Sequence, residues 1–430
     1  MIGALLLALQ AAAAPAAAAD TLPRVTLAEA LERATRLDPG YVSALGQVDN
    51  AEWCRRNAIL AFIVPSLTLN TSYTQSTSPS FNFGTGGFSK QFVQANAIAQ
   101  YELFDGGRRI FELQRAKADL EGARASELEA RFLAALATER AFYDVLGGRE
   151  LLATARDRTR RAEEQLATAR ARVLSGAAVQ TDSLTLLLEL QRSRVEELRQ
   201  AAVVNVARLE LGRRIGLAGP ADAEPLPDEP TRLPLSLEEA VALALEQGPQ
   251  YRVARAAERA AAADLRAERT AYLPQIVLSG QKSAFDTRYW PDATTRGQFS
   301  ISATLPVWDL GRRELSISQT RVRRDVNRAI RADLERAARR DVAEAYQAFE
   351  VAVASAVVAR EAVVVARENY RVQDARYRAG ASTILDLLEA QVSLSTAESG
   401  LVQARYAALL ARAGLEVIIG RRLTNGQDAQ

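Results

Sequence analysis

Asp386 and Glu389 stand three residues apart in ASTILDLLEAQ, shortly after Gly380, so a helix begun there carries both carboxylates on one face. Such a pair has two uses. Acidic groups in a first turn favour the helix dipole, and the same groups repeated around a symmetry axis raise the local cation concentration and repel anions. Other chemistry lacks its ingredients. The chain of 430 residues has no histidine and a single cysteine, Cys54, in the helical run AEWCRRNA, where it reads as a small buried residue. Zinc sites, histidine-based acid–base catalysis and disulfide frameworks thereby lose their main groups. We expect no catalytic, cofactor-binding or metal site, and no enzyme. The 54 Lys and Arg residues nearly balance the 52 Asp and Glu residues and are interspersed with them, which leaves no basic field for a phosphate backbone. Nucleic acid is not an expected partner.

The elements that must position these groups form a unit written twice. Residues 27–69 match 237–278, pairing Leu27 with Leu237, Pro39 with Pro249 and Tyr41 with Tyr251. Farther on, FDGGRR at 104–109 matches WDLGRR at 308–313, and ARARVLSGA at 169–177 matches DARYRAGA at 374–381. Copies spaced ~200 residues apart are too long for a solenoid repeat and are read as duplicated halves, 20–216 and 235–420. A proline-rich linker at 217–234 joins them, and a short tail covers 421–430. Ahead of the first half, residues 1–19 are apolar and end with Ala17 and Ala19 in the small-residue pattern of an export signal, although the usual basic start is missing. No later apolar run approaches the ~20 residues of a spanning helix.

Each half follows the same plan. A short amphipathic helix (about 26–37 and 236–247) stops at an X-Pro step, where the proline suits the first position of a second helix (about 40–63 and 250–272). The period then changes to two. Leu67, Leu69, Thr71 and Tyr73 oppose Ser66, Thr68, Asn70 and Ser72, and the alternation returns at 93–103, 275–283 and 297–306. Four strands are predicted, paired through Gly/Ser/Pro/Asp-rich loops at 77–91 and 284–296. Helices of unusual length follow, about 107–175 and 311–379, each roughly 100 Å if continuous. They turn at Gly176 and Gly380, and return helices start from an Asp or Thr cap at about 182–213 and 383–417. The spacing in LLATARDRTRRAEEQLATARARVL suits lateral coiled-coil packing.

Four tilted strands cannot close a barrel, since the smallest closed membrane barrels need about eight, and an open sheet edge cannot face lipid. Closure therefore has to come from other copies. Three copies give about twelve strands, an even number within the usual range. The expected fold is mainly α with a small β part: a long antiparallel coiled-coil α-barrel continued by a transmembrane β-barrel that trimerisation completes.

The order LxEAL…DPxY…P-strand, (F/W)DxGRR and RYRAGASTILDLLEAQVSL at 376–394 resembles the TolC family of outer membrane efflux proteins over essentially the whole chain after residue 19. The resemblance implies a homotrimer in the outer membrane of a Gram-negative bacterium, bounded by outer membrane lipid and extending into the periplasm. Its partners would be a periplasmic adaptor protein and an inner-membrane pump of RND or ABC type, in tripartite efflux or type I secretion. Asp386 and Glu389 match the family's acidic gate, with Glu at the second position. Asp182, Tyr377 and Ser382 match its closed-state lock, with serine where TolC carries an arginine. Asp182 reads equally as a helix cap. Gly176 and Gly380 match the tip glycines that an adaptor approaches, and also suit the positive φ of a helix end. Arg172 and Arg376, one turn earlier, fit either tip positioning or a solvated face. The competing class is a periplasm-spanning structural or adhesive coiled coil without conduction.

Overall fold

The computed structural model describes residues 22–82, 86–226, 233, 235–287 and 293–423. The expected export signal lies outside them, as do residues 227–232 and 234 of the linker and most of the tail. The elements run β1 (Arg24–Val25), α1 (Leu27–Leu37), α2 (Pro39–Leu60), β2 (Ser66–Asn82), β3 (Gly87–Phe104), α3 (Arg108–Leu174) and α4 (Gln180–Arg214). They continue with β4 (Asp222–Ala223), α5 (Leu237–Gln247), α6 (Pro249–Arg269), β5 (Gln275–Asp286), β6 (Thr294–Thr304), α7 (Arg312–Arg378) and α8 (Ile384–Ile419). Helix α3 and its repeat-mate α7 are 67 residues each. No helix among the described residues is long and apolar enough to cross a membrane.

The described residues form two compact units. One is drawn from the segment through Asp38, Ala134–Arg232 and Ala348–Ala413, the other from Pro39–Leu133, Leu233–Gln347 and the segment from Gly414. Each unit draws on both duplicated halves, so the repeat divides the sequence but not the packing.

The second unit contains the sheet, antiparallel throughout in the order β2-β3-β5-β6. Its strands run farther than alternation alone indicated. Ser80 pairs with Ser89 beyond a register shift, and Phe285 pairs with Thr294, so most of the first segment expected as a loop and both ends of the second are strand. Polar side chains suffice there because a pleated strand needs an apolar residue only on the face it buries. At the end of each hairpin the chain turns into a long helix through the duplicated Asp-x-Gly-Arg-Arg corner. Asp105 accepts from the Gly107 and Arg109 amides at 3.0 and 2.9 Å, and Asp309 accepts from the Arg313 amide at 2.9 Å, which satisfies donors that a helix start leaves open. Arg109 then reaches the Ala61 carbonyl at 2.9 Å, while Arg313 stacks 4.1 Å from the Tyr272 ring. The corner needs two consecutive left-handed residues: Gly106 and Gly107 in the first copy, Leu310 (φ 62) and Gly311 in the second.

In the first unit, β1 and β4 pair in parallel, Arg24 with Asp222 and Val25 with Ala223. Strands of two residues show no period, and the sequence did not reveal them. Val25, Ala30, Phe142, Val145, Leu211 and Ala223 join one core. Buried Asp222 is paired with Arg149 and Arg208, each at 3.3 Å, the compensation that an interior carboxylate requires. A second core, Ala162, Leu166, Ala169, Leu186 and Leu190 with Ile384 and Leu388 against it, lies nearer the hairpin tips. Cys54 corrects its reading: it is exposed on α2.

Candidate functional site

Helices α3–α4 and α7–α8 form two hairpins, and all the residues singled out for function lie at or beside their tips. Both tips close by the same device. Ala177 donates to the Arg172 carbonyl at 2.8 Å and Gly176 to the Val173 carbonyl at 3.1 Å; Ala381 and Gly380 repeat this toward Arg376 and Tyr377 at 2.8 and 3.0 Å. This is a Schellman turn, which needs a left-handed residue after the helix, and Gly176 and Gly380 supply it at φ 76 and 75. Both glycines are exposed. A Cβ at Gly176 meets no atom within 4 Å, and one at Gly380 meets only Arg172 Nη2 at 3.4 Å.

The arginines one turn earlier are not idle surface groups. Arg172 Nη2 donates to the Ala177 carbonyl at 3.4 Å and Arg376 Nη2 to the Ala381 carbonyl at 3.3 Å, so each braces its own turn. Arg172 also leaves its hairpin. Its Nη1 donates to the Tyr377 carbonyl, and its guanidinium sits 4.9 Å from the centre of the Tyr377 ring.

Tyr377 is 3% exposed, and its hydroxyl is buried without a hydrogen-bond partner. A Tyr–Asp hydrogen bond through this hydroxyl is thus not made. Asp182 is close enough to act electrostatically: burial pushes the Tyr377 phenol upward, the Asp182 carboxylate adds to this and Arg172 opposes it. Nor is Asp182 a cap, because α4 begins at Gln180 with Val179 at the cap position, which puts Asp182 in the first turn. The Ser382 hydroxyl is also buried and unbonded, so nothing at that position replaces an arginine.

Asp386 and Glu389 are both exposed on one face of α8, while Leu387 and Ala390 are buried on the other. Thr383 caps this helix as expected. Its amide and hydroxyl donate to Asp386 Oδ2 at 3.0 and 2.7 Å, and the Asp386 amide donates back to the Thr383 hydroxyl at 3.3 Å, a reciprocal capping box. Those bonds from Thr383, with a smaller contribution from Arg376, hold the Asp386 carboxyl below the usual carboxylate range, so it is charged at neutral pH. Capping and a cation-concentrating role are compatible, since the ionised form serves both.

One feature of the site was missed. Seven residues above the Arg172–Tyr377 contact, Gln165 Nε2 donates to the Tyr370 hydroxyl at 3.0 Å, and Arg161 lies 5.8 Å from the Tyr370 ring. The signal was present as two Tyr residues on α7 and two polar residues on α3, each pair at heptad spacing. Among the described residues no group of His, Cys, Asp and Glu is arranged to hold a metal ion.

Comparison with known proteins identifies the fold and the family. OpmQ of Pseudomonas aeruginosa, named as a pyoverdine export outer membrane protein, is 27% identical over 387 residues, 85% of this chain and 76% of OpmQ. Protein CyaE of Bordetella pertussis is 28% identical over 208 residues, 48% of this chain and 44% of CyaE; the chain thus matches less than half of that relative. The crystal structure of the outer membrane protein VceC of Vibrio cholerae superposes with a TM-score of 0.76 at 18% identity, covering 93% of this chain and 97% of VceC, which establishes a shared fold. The pattern that defines the outer membrane efflux protein family matches residues 58–216 and 240–421, both halves of the duplication, and the chain belongs to that family of outer-membrane channels.

Proposed function

We propose that three copies of this chain form a passive export duct, with an energised inner-membrane pump and a periplasmic adaptor opening its hairpin tips. The observation that carries this reading is the sheet with two open edges, β2 and β6. Both edge strands present exposed apolar side chains, Leu67 and Leu69 on β2 and Phe299 and Ile301 on β6, which suits lipid. Their unpaired backbone groups do not, and closure by further copies removes the edge. The helices support the same assembly. Val351, Val358, Val365 and Val372 recur every seven residues along α7 and are all exposed. Such a stripe lacks only a neighbouring helix, and α4 offers exposed Leu184, Leu188, Val195 and Leu198.

On this reading the tips have three jobs. Asp386 and Glu389 from three copies form the acidic constriction. Asp182, Tyr377 and Ser382 lie where the closed state is held, and the open space around Gly176 and Gly380 admits the adaptor, with Arg172 and Arg376 shaping the turns it meets. The cargo is what the pump delivers. An RND pump makes the assembly an efflux system, and an ABC pump beside a secreted protein makes it a type I secretion system; the name of OpmQ states export of pyoverdine for that protein. Native mass measurement on protein extracted from the outer-membrane fraction tests the assembly. Three copies are expected, and a stable monomer would overturn the reading. Replacing Asp386 and Glu389 by Asn and Gln is expected to lower cation selectivity; an unchanged reversal potential in a salt gradient removes the acidic gate.

A further inference from the structure

Two rungs join α3 to α7 within one chain. Gln165 meets Tyr370 and Arg172 meets Tyr377, and the partners stand seven residues apart on both helices, so the rungs are successive steps along one seam. Each tyrosine ring lies under an arginine of α3, Arg161 above and Arg172 at the tip. The rungs are unequal. Tyr370 receives a hydrogen bond on its hydroxyl, whereas Tyr377 is held through its ring and its carbonyl only, with the hydroxyl left unbonded.

The packing beside the seam is polar and incompletely bonded. Gln391 of α8 is 0% exposed, yet neither of its amide atoms has a partner, and Gln165 Oε1 and Gln373 Oε1 are likewise unbonded. Buried polar groups without partners are costly, and the cost disappears when water reaches them. Helices joined by apolar interdigitation would resist separation. Here separation admits water to groups that need it, so beyond the packing of Ile384 and Leu388 against the α3–α4 core the seam depends on directed contacts, and the one nearest the tip is Arg172.

We propose that Arg172 is the latch between the two hairpins of a protomer, gripping Tyr377 by ring and carbonyl, and that the seam opens from this rung toward Gln165–Tyr370. The proposal rests on the duct reading and narrows it to the group that holds the tip shut, a positioning role that works through Tyr377. It also assigns different jobs to two arginines that occupy equivalent positions in the repeat.

Single-channel recording of the purified full-length protein in planar bilayers tests it. Removing a partly buried cation–π contact together with a charge-assisted hydrogen bond is expected to raise open-state occupancy about tenfold in Arg172→Ala. Tyr377→Phe, which keeps the ring and the carbonyl that Arg172 grips, is expected to open the channel less than Arg172→Ala, and so is Arg376→Ala, whose side chain bonds only its own turn. Adding Gln165→Leu to Arg172→Ala is expected to open the channel further. If Arg172→Ala fails to assemble, Arg172→Gln, which retains a donor for the carbonyl but no cation over the ring, carries the test. Tyr377→Phe opening as much as Arg172→Ala would show that the hydroxyl is the lock, and Arg172→Ala or its Gln substitute behaving as the unsubstituted protein removes the latch. Both results leave conduction standing; silence from every inserted variant contradicts the duct reading instead.

Discussion

The two hairpin tips share a backbone and differ in one reach. Both end in a left-handed glycine, both close with the same pair of amide bonds, and both have an arginine bracing the turn five residues on. Arg376 stops there, whereas Arg172 continues to Tyr377 on the other hairpin. Duplication thus preserved what the local chain requires, the conformation of a helix end. It left free what only the partner element determines. The strand-to-helix corners show the same division: Asp105 and Asp309 cap alike, but one copy fills its first left-handed position with Gly106 and the other with Leu310.

Substitutions can break these comparisons. The largest loss of stability is expected at the first corner. A Cβ at Gly106 combines a left-handed backbone with approaches of 2.9 Å to Leu273 Cβ and 3.1 Å to the Thr270 carbonyl, so Gly106→Ala is expected to cost about 2–3 kcal/mol, read as a lowered thermal midpoint by circular dichroism. At the tips, Arg172→Ala is expected to cost about 1–2 kcal/mol and Arg376→Ala less than about 0.5 kcal/mol. Equal losses would erase the asymmetry between them. Thr383→Ala removes the capping box of α8 at about 1 kcal/mol, with no counterpart at α4, whose cap position is Val179. The smallest effect is a gain: Leu310→Gly relieves a left-handed leucine by about 0.5 kcal/mol, after the entropy cost of glycine is subtracted.

Asp386 adds a pH dependence. Its folded-state pKa lies below the ordinary 3.8, so its contribution is present above the unfolded value and is lost as pH falls through the folded one. Thr383→Ala removes the hydroxyl bond, the larger cause, and keeps the amide bond. In a carboxyl titration followed by NMR, the Asp386 midpoint is then expected to rise part of the way toward 3.8; an unchanged midpoint would show that the Thr383 hydroxyl is not the cause.

Much of this was legible in the sequence where local chemistry decides. The long helices fall within about a residue or two of the predicted bounds because proline, glycine and Asp-x-Gly-Arg-Arg punctuate them. Strands β2 and β5 begin where the alternation begins and β3 and β6 end within about two residues of where it ends; toward the hairpin ends they outrun it because Ser, Thr and Gln face no core that would select apolar partners. The β1–β4 pair was not legible, since two residues carry no period and their register comes from a segment about 200 residues away. The tip was readable in part. Helical spacing placed Asp386 and Glu389 together and the Thr383 cap was expected, but Asp182 is not a cap and Tyr377 is not bonded through its hydroxyl. Which arginine crosses between hairpins depends on the packing of α3 against α7, and Arg172 and Arg376 look alike until that contact exists.

The most direct test of the duct is ionic current through assembled protein whose tips are released, recorded after Arg172, Asp182 and Tyr377 are all replaced by Ala. The account predicts discrete, long-lived conductance steps from a three-copy particle. Insertion of that particle into the bilayer with no current would contradict it and favour a coiled-coil protein that spans without conducting.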